Sequence, residues 1–561
     1  MGELLVGEYL LKRIQELGVK SIFGVPGDYE LAFLDLILQA GIDWKGTPNE
    51  LVGAYAADGY ARINGVGVLV TTFGPGETSA LCGIAGAYTE FVPVIHIVGY
   101  PSVKAQREHA ILHHTLGEGK FNNYHEMSKQ ISCATTVLED TATAASEIDR
   151  VLNALLLHGQ PVYIGIPTDI TFEKTRDTGL LVPLSKMLDP NNQGLESKIL
   201  GDIGSRLENA KSPVIVVDGG ATRHGVLSEV SDLITVTGFP VFTTPMGKGT
   251  VDEKCAQYGG TYVGVGSRDD VKDVVESSDL VLWIGMYPSD MNTGEFTVRV
   301  SKGDIVNFER FYTMIGGQKY PLKMKHLLRK LVDSLKSESV LPRQTKLACV
   351  PYGQEPEKPD GVITQSWLWP RLGKFLLEDD LVVVETGTAQ SGFNASPLPS
   401  HITTWTQEIF GSIGYATGAM VGATVAFKEK GGRRSILITG DGSLQLTAQA
   451  IADLLRHGTN PIIFVLNNDG YTVERLIHGV EAPYNSIPPW KYTGLLDVFG
   501  PQTKSESYLV RSANELDSLL DNPSFGEPTC TKLVEIVLDK LDAPEATRKI
   551  GKAIEQFNKS A

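Results

Sequence analysis

The chain has 561 residues, 42% of them hydrophobic and 21% charged, which are the proportions of a folded globular protein too long for one core. Its 50 basic and 66 acidic residues leave a net charge of −16, which argues against a nucleic-acid partner or an anionic membrane surface. No apolar stretch approaches the roughly 18 residues that cross a bilayer, and the scattered cysteines Cys82, Cys133, Cys255, Cys349 and Cys530 form no CxxC pair, so the expected setting is a reducing one, with cytoplasm as the default.

In chain order, Glu8 to Leu17 places Leu10, Leu11, Ile14 and Leu17 on one helical face closed by Gly18, an amphipathic helix rather than a signal peptide. Ser21 to Gly24 is a short strand entering Val25-Pro26-Gly27-Asp28, and Leu31, Leu34, Leu36 and Ile37 mark the next helix. On position alone Asp28 reads as that helix's N-cap. Asn49-Glu50 opens another helix, with Glu50 in the first turn where a carboxylate suits the dipole. Gly65 to Gly76 is a buried strand running into a glycine-rich turn, Val92 to Gly99 is the following strand, and Tyr100 to about Tyr124 is a polar loop holding His109, His113 and His114. His109 and His113 have the spacing of helical metal ligands, but no nearby set of carboxylate and histidine completes a ligand pattern. A helix from Ala144 to Leu157 and a strand from Pro161 to Pro167 finish a first α/β domain, residues 1–185.

A second α/β domain, 186–340, has strand signals from Ser212, at Pro240 to Thr244 and at Leu280 to Gly285. Its Gly219-Gly220 follows a strand without a full GxGxxG, so a dinucleotide site there is unsupported. Residues 341–362 lack periodicity and read as a linker. The third domain, 363–561, opens with the strand Leu381 to Glu385 leading to Thr386-Gly387-Thr388, followed by Gly411-Ser412-Ile413-Gly414 and a helix of small residues. Arg433 to Thr439 and Pro461 to Leu466 are apolar runs suited to buried parallel strands, and Leu444, Leu446, Ile451, Leu454 and Leu455 place a helix between them, stopped by Gly458. Thr531 to Leu538 is a further strand.

That strand–helix–strand unit puts Asp441 and Asn468 at strand carboxyl ends, where ligands bind in such folds. A carboxylate, a neutral amide oxygen and a backbone carbonyl at Gly470 are the hard oxygens that Mg²⁺ takes when phosphates complete its octahedron. Gly440 and Gly442 allow close approach of a phosphate to the backbone.

Six segments in order carry a family resemblance: GVPGDYELAFLD around Asp28, NELVGAYAADGYAR at Glu50, HHTLGEG at His113-His114, TPMGKG near Gly247, FGSIGYATGA near Ile413, and GDGSLQLT through NNDGYTVERLIHG. Together they resemble the thiamine-diphosphate (ThDP)-dependent 2-oxo acid decarboxylases, closest to the fungal pyruvate decarboxylase branch, over essentially the whole chain. The resemblance implies three doubly wound α/β domains with mainly parallel sheets: a pyrimidine-binding domain, a middle domain and a diphosphate-binding domain. It also implies ThDP and Mg²⁺ as cofactors, a small 2-oxo acid as partner, and a homo-oligomer, dimer at minimum and tetramer as the usual form, with sites between the pyrimidine domain of one subunit and the diphosphate domain of another.

Residue roles follow from the same resemblance. Glu50 would bond the pyrimidine ring, Ile413 would prop the cofactor in its bent shape, and the carbonyl of Gly411 would hold its amino group. Asp441, Asn468 and the Gly470 carbonyl would bind Mg²⁺, with Gly442, Ser443 and Thr388 near the diphosphate. Asp28, His113, His114 and Glu474 match the proton-handling set. Met291, Thr386, Gln390, Val473 and Ile477 would wall the substrate pocket; Met291 and Gln390 are unusual there, and Val473 is smaller than the Ile often found. Gly and Ala at Gly219, Gly220 and Ala221 replace the thiols of a cysteine-regulated branch, so substrate activation through cysteine is expected to be absent. The implied reaction is non-oxidative decarboxylation through a ThDP adduct, pyruvate to acetaldehyde and CO₂. The alternatives are a decarboxylase of larger branched or aromatic 2-oxo acids and a catalytically silent structural homologue.

Overall fold

The computed structural model describes residues 2–185, 188–337 and 356–560. Cys349 and the expected linker, apart from 356–362, lie outside the described residues.

Runs of Val, Ile and Leu that are buried on both faces form the centres of three sheets, as parallel strands require. In the first sheet the strands lie in the order Asp43–Gly46, Ser21–Gly24, Gly67–Thr72, Val94–Tyr100, Val162–Pro167 and Ala134–Val137, all parallel. In the last the order is Thr403–Thr406, Leu381–Val384, Ser435–Gly440, Ile462–Asn467, Thr531–Val537 and Ser505–Val510, again all parallel. Numbered in chain order within each sheet, both read 2-1-3-4-6-5, so one topology occurs twice. The middle sheet has five parallel strands extended by the antiparallel hairpin Thr313–Ile315 and Gln318–Tyr320. The expected α/β class, doubly wound and mainly parallel, is the class observed. Strand alternation supplies two cores: Leu381 and Val383 face the one shared with the first domain, whereas Val382 and Val384 face the third domain's own.

The first and last domains meet along two helices, Glu50–Asn64 and Tyr415–Glu429. Their backbones touch at glycine: a Cβ on Gly59 would stand 2.0 Å from the Ala419 carbonyl oxygen, and one on Gly422 would stand 1.7 Å from that of Ala56. A buried polar network spans this contact. Arg62 binds Asp58 (2.6 Å) and Glu90 (2.8 Å), Tyr415 donates to Asp58, and the Ile409 amide donates to Glu90.

Several local expectations change. The helix read through Leu444 to Leu455 is two, Asp441–Thr447 and Ala450–His457, so Leu446 is exposed rather than part of one apolar stripe. The glycine turn ends at Gly74, and Gly76 already lies inside the helix Pro75–Thr89. Asp28 is not an N-cap: the helix Leu31–Gln39 begins after Glu30. His109 and His113 are not on one helix, because the helix there ends at Arg107. Gly220 packs its backbone against Gly285, where a Cβ would stand 2.6 Å from the Gly285 Cα. The four described cysteines carry free thiols. No helix among the described residues is long and apolar enough to cross a membrane.

Candidate active site

Both repeated sheets reverse strand order between their first and third strands, and ligands gather at the carboxyl ends beside such a reversal. In the last domain the third strand ends at Gly440, which delivers Asp441 to the first turn of the helix Asp441–Thr447. Asp441 is buried; its Oδ1 accepts from the Gly442 amide (2.7 Å) and its Oδ2 from the Gly470 amide (3.0 Å). That burial pushes its carboxyl up to about 6. The neighbouring strand ends at Asn467, followed by buried Asn468.

Asn468 provides the test of a metal at this place. One terminal atom of its amide stands 3.1 Å from Asp441 Oδ1 and 3.0 Å from the Gly470 carbonyl oxygen, and the other stands 2.9 Å from Thr472 Oγ1. With its nitrogen toward Asp441 and Gly470 the amide hydrogen-bonds both and accepts from Thr472; with its oxygen there it would complete a set of three oxygens around a cation. Oxygens at about 3 Å are adjacent corners of an octahedron with the ~2.1 Å bonds of Mg²⁺. The donor set, carboxylate, amide oxygen and backbone carbonyl, therefore fits a hard divalent cation. Beside it a Cβ on Gly442 would lie 2.7 Å from the Tyr471 ring, so only glycine lets the backbone pass there.

The first strand of this sheet ends at Val384 and leads through buried Glu385 to Thr386, Gly387 and Thr388. Glu385 accepts from the amides of Thr386 and Ala416, both at 3.1 Å, and so ties this turn to the Gly411–Gly414 turn; burial raises its carboxyl to about 7. Thr386 Oγ1 donates to Gln390 Oε1 at 2.9 Å, and the Val473 Cγ2 would lie 3.8 Å from a Cβ on Gly387. Ile413 lies between Gly411 and Gly414, both at positive φ, and is exposed despite its apolar side chain. Ser412 next to it accepts or donates at 2.6 Å with Tyr55 OH, while its amide donates to Gln407 Oε1. Glu474 is exposed on the helix Thr472–Ile477, which also carries Val473 and Ile477; Met291 comes from the middle domain, on Asp290–Thr293.

In the first domain the structure joins residues far apart in sequence. His113 Nε2 lies 2.8 Å from Asp28 Oδ2, His114 Nε2 lies 4.0 Å from Asp28 Oδ1, and Tyr29 stacks on His113 with ring centroids 5.0 Å apart. Glu50 caps no other helix; it is half-buried, with its carboxyl raised by desolvation, and a Cβ on Gly76 would stand 3.2 Å from its Oε1. Glycine at 76 keeps the space beside that carboxylate open. Glu30, buried next to Asp28, has its carboxyl raised to about 8, chiefly by desolvation, with the Thr72 hydroxyl and the Gly27 backbone pulling the other way.

Sequence reading missed Tyr29, Glu30, Tyr55, Glu385 and Gln407. Each acts through a partner in another element, and only Glu385, as a carboxylate ending an apolar strand, left a sequence signal. No hydrogen bond or ion pair among the described residues joins Asp28, Glu50, His113 or His114 to Asp441, Asn468 or Glu474.

A duplicated α/β topology, with a hard-cation donor set at one sheet end and an acid–base cluster at the other, defines a diphosphate-cofactor enzyme. Residues 5–127 match the N-terminal TPP binding domain of thiamine pyrophosphate enzymes, 201–331 their central domain, and 385–510 their C-terminal TPP binding domain. A pyruvate decarboxylase of Aspergillus terreus is 46% identical over 544 residues, covering 97% of this chain and 95% of that protein. Pyruvate decarboxylase isozyme 1 of Saccharomyces cerevisiae is 42% identical over 555 residues, 97% of each chain, and a putative pyruvate decarboxylase of Schizosaccharomyces pombe is 43% identical over 570 residues and the full length of both. The chain belongs to the ThDP-dependent 2-oxo acid decarboxylases. It is a carboxy-lyase whose cofactors are thiamine diphosphate and Mg²⁺.

Proposed function

We propose that this enzyme decarboxylates pyruvate to acetaldehyde and CO₂ in the cytoplasm, at sites completed between two subunits of a homodimer or of a tetramer built from such dimers. The observation that carries the site assignment is the gathering of the Asp441 carboxylate, the Asn468 side-chain amide and the Gly470 carbonyl within 3.0–3.1 Å contacts at the carboxyl ends of two neighbouring strands, a donor set a diphosphate-bound Mg²⁺ would take. The names of the relatives support pyruvate, and the exposed thiol of Cys82 suits a reducing compartment.

When bound, ThDP supplies the electron sink for the pair left as CO₂ departs. Gly442, Ser443 and Thr388 would hold its diphosphate, Ile413 and the Gly411 carbonyl its rings. Glu50, whose carboxyl desolvation raises, would hold and return a proton at the pyrimidine nitrogen. Asp28 fixes His113 through Nε2, and with His114 and Glu474 they exchange protons with substrate and product oxygen and carbon as a coupled set. Thr386, Gln390, Met291, Val473 and Ile477 would wall the substrate. The two carboxylate-bearing halves stand on different domains, and the apolar side chains exposed beside each, Ile111 and Leu116 near His113 and Phe410 and Ile413 near Gly411, supply surfaces for a second subunit to cover.

The smaller Val473 favours a second reading, a pocket for larger 2-oxo acids, and one methylene is worth only about 1–3 kcal/mol of discrimination. Turnover of pyruvate, 2-oxoisovalerate and phenylpyruvate by purified enzyme separates the two. Pyruvate is expected to give the highest kcat/KM; a preference for phenylpyruvate of about a hundredfold would replace the first reading with the second.

A further inference from the structure

The loop histidines lack a metal partner in sequence, but the fold supplies one from 85 residues away. Asp28, His113 and His114 each present one donor atom, and these atoms all lie within 4.8 Å of one another. His113 Nε2 is 2.8 Å from one carboxylate oxygen and His114 Nε2 is 4.0 Å from the other, against ~3.3 Å between ligand atoms of a tetrahedral Zn²⁺ with bonds near 2.05 Å. Closing the set around one ion shortens no pair by more than about 1.5 Å, a movement two side chains share. Backbone geometry presents the pair: His114 has φ 67°, which turns its ring against His113, centroids 4.6 Å apart. The remaining ring nitrogen of His113 has Tyr29 OH at 3.5 Å, an outer partner of the kind that orients metal-bound imidazole. In the single chain Asp28 and His113 are 51% and 58% exposed, so neither side chain is walled in by its own fold and room for a fourth ligand remains there.

We propose that Asp28, His113 and His114 form a second, inhibitory metal site for a borderline-soft dication such as Zn²⁺, separate from the oxygen-only site at Asp441, Asn468 and Gly470. Two imidazoles and one carboxylate favour Zn²⁺ or Co²⁺ over Mg²⁺, whereas three oxygens and a diphosphate favour Mg²⁺. Coordination engages the lone pairs that would otherwise carry protons, so occupancy and turnover fall together. That consequence rests on the proposed catalytic role of these residues; the binding itself does not.

The test uses holoenzyme saturated with ThDP and Mg²⁺ and titrated with Co²⁺ or Zn²⁺. Expected is one Co²⁺ per chain with the intense visible bands of a four-coordinate nitrogen–oxygen site, displaced by Zn²⁺ and not by excess Mg²⁺. Activity should fall in step with occupancy and return on adding 1,10-phenanthroline. Asp28→Asn and His114→Phe, shown folded by circular dichroism and by ThDP binding, should each bind Co²⁺ at least about tenfold more weakly, and Tyr29→Phe about tenfold more weakly. Absence of Co²⁺ binding beyond the Mg²⁺ site, unchanged affinity in both ligand variants, or full turnover at full occupancy would overturn the proposal. Protein that binds Co²⁺ as described yet turns over no 2-oxo acid would keep the metal site and remove the decarboxylase reading.

Discussion

Glu50 sits in the first turn of its helix with its carboxylate beside the gap left by Gly76, half-buried and raised by desolvation. Glu50→Gln keeps the size and removes the proton. Decarboxylation should fall by about 10²- to 10⁴-fold with circular dichroism unchanged; near-normal turnover would strip Glu50 of the role. Glu30 is a different kind of acid, buried and with its carboxyl raised to about 8. Its folded pKa lies above the unfolded value near 4.3, so its contribution to stability is fully present below about pH 4 and is lost as pH rises through about 8. The melting temperature of wild type should therefore drop from pH 5 to pH 8 by more than that of Glu30→Gln. Parallel curves would show that Glu30 does not bind its proton as the structure indicates.

At the scale of elements, the contact between the helices Glu50–Asn64 and Tyr415–Glu429 is buried along most of both helices, and Arg62 within it neutralises Asp58 and Glu90. Removing one partner of a buried pair leaves charge uncompensated, so Arg62→Met should cost about 3–5 kcal/mol, read as a lower urea midpoint, and a loss below about 1 kcal/mol would mean the network relaxes without it. The same contact explains which elements sequence reading could reach. Strands with continuous Val, Ile and Leu, such as Ser435–Gly440, declare themselves by composition. The helix Pro75–Thr89 does not, because it packs on several sides through small residues: a Cβ on Gly83 would stand 2.4 Å from the Ala54 Cβ, and one on Gly86 2.4 Å from Gln407 Nε2. Without an apolar stripe there was no period to read. The break between Thr447 and Ala450 was hidden for the opposite reason: leucines at helical spacing continue through it, although Leu446 faces solvent. The C-terminal helix Glu545–Ser560 was not read; Lys549 on it reaches Asp269 of the middle domain, a partner that no local pattern contains.

For the whole molecule, contiguous motifs mark Gly440 to Glu474 and His113-His114 in the sequence, and Asp28 joins the histidines there only through the family resemblance, because the hydrogen bond between them is made by a chain folding over 85 residues. The two half-sites occupy sheet ends of the same topology, one with hard oxygen donors and one with an acid–base cluster. Sharing of each site between two subunits is tested most directly by co-expressing Glu50→Gln and Asp441→Asn chains under different tags and assaying CO₂ release from pyruvate with ThDP and Mg²⁺. Each variant alone should be inactive, and the mixture should recover about a quarter of wild-type activity, because half the dimers are mixed and each of those holds one intact site of two. A mixture as inactive as its components would place both halves in one chain and contradict the account.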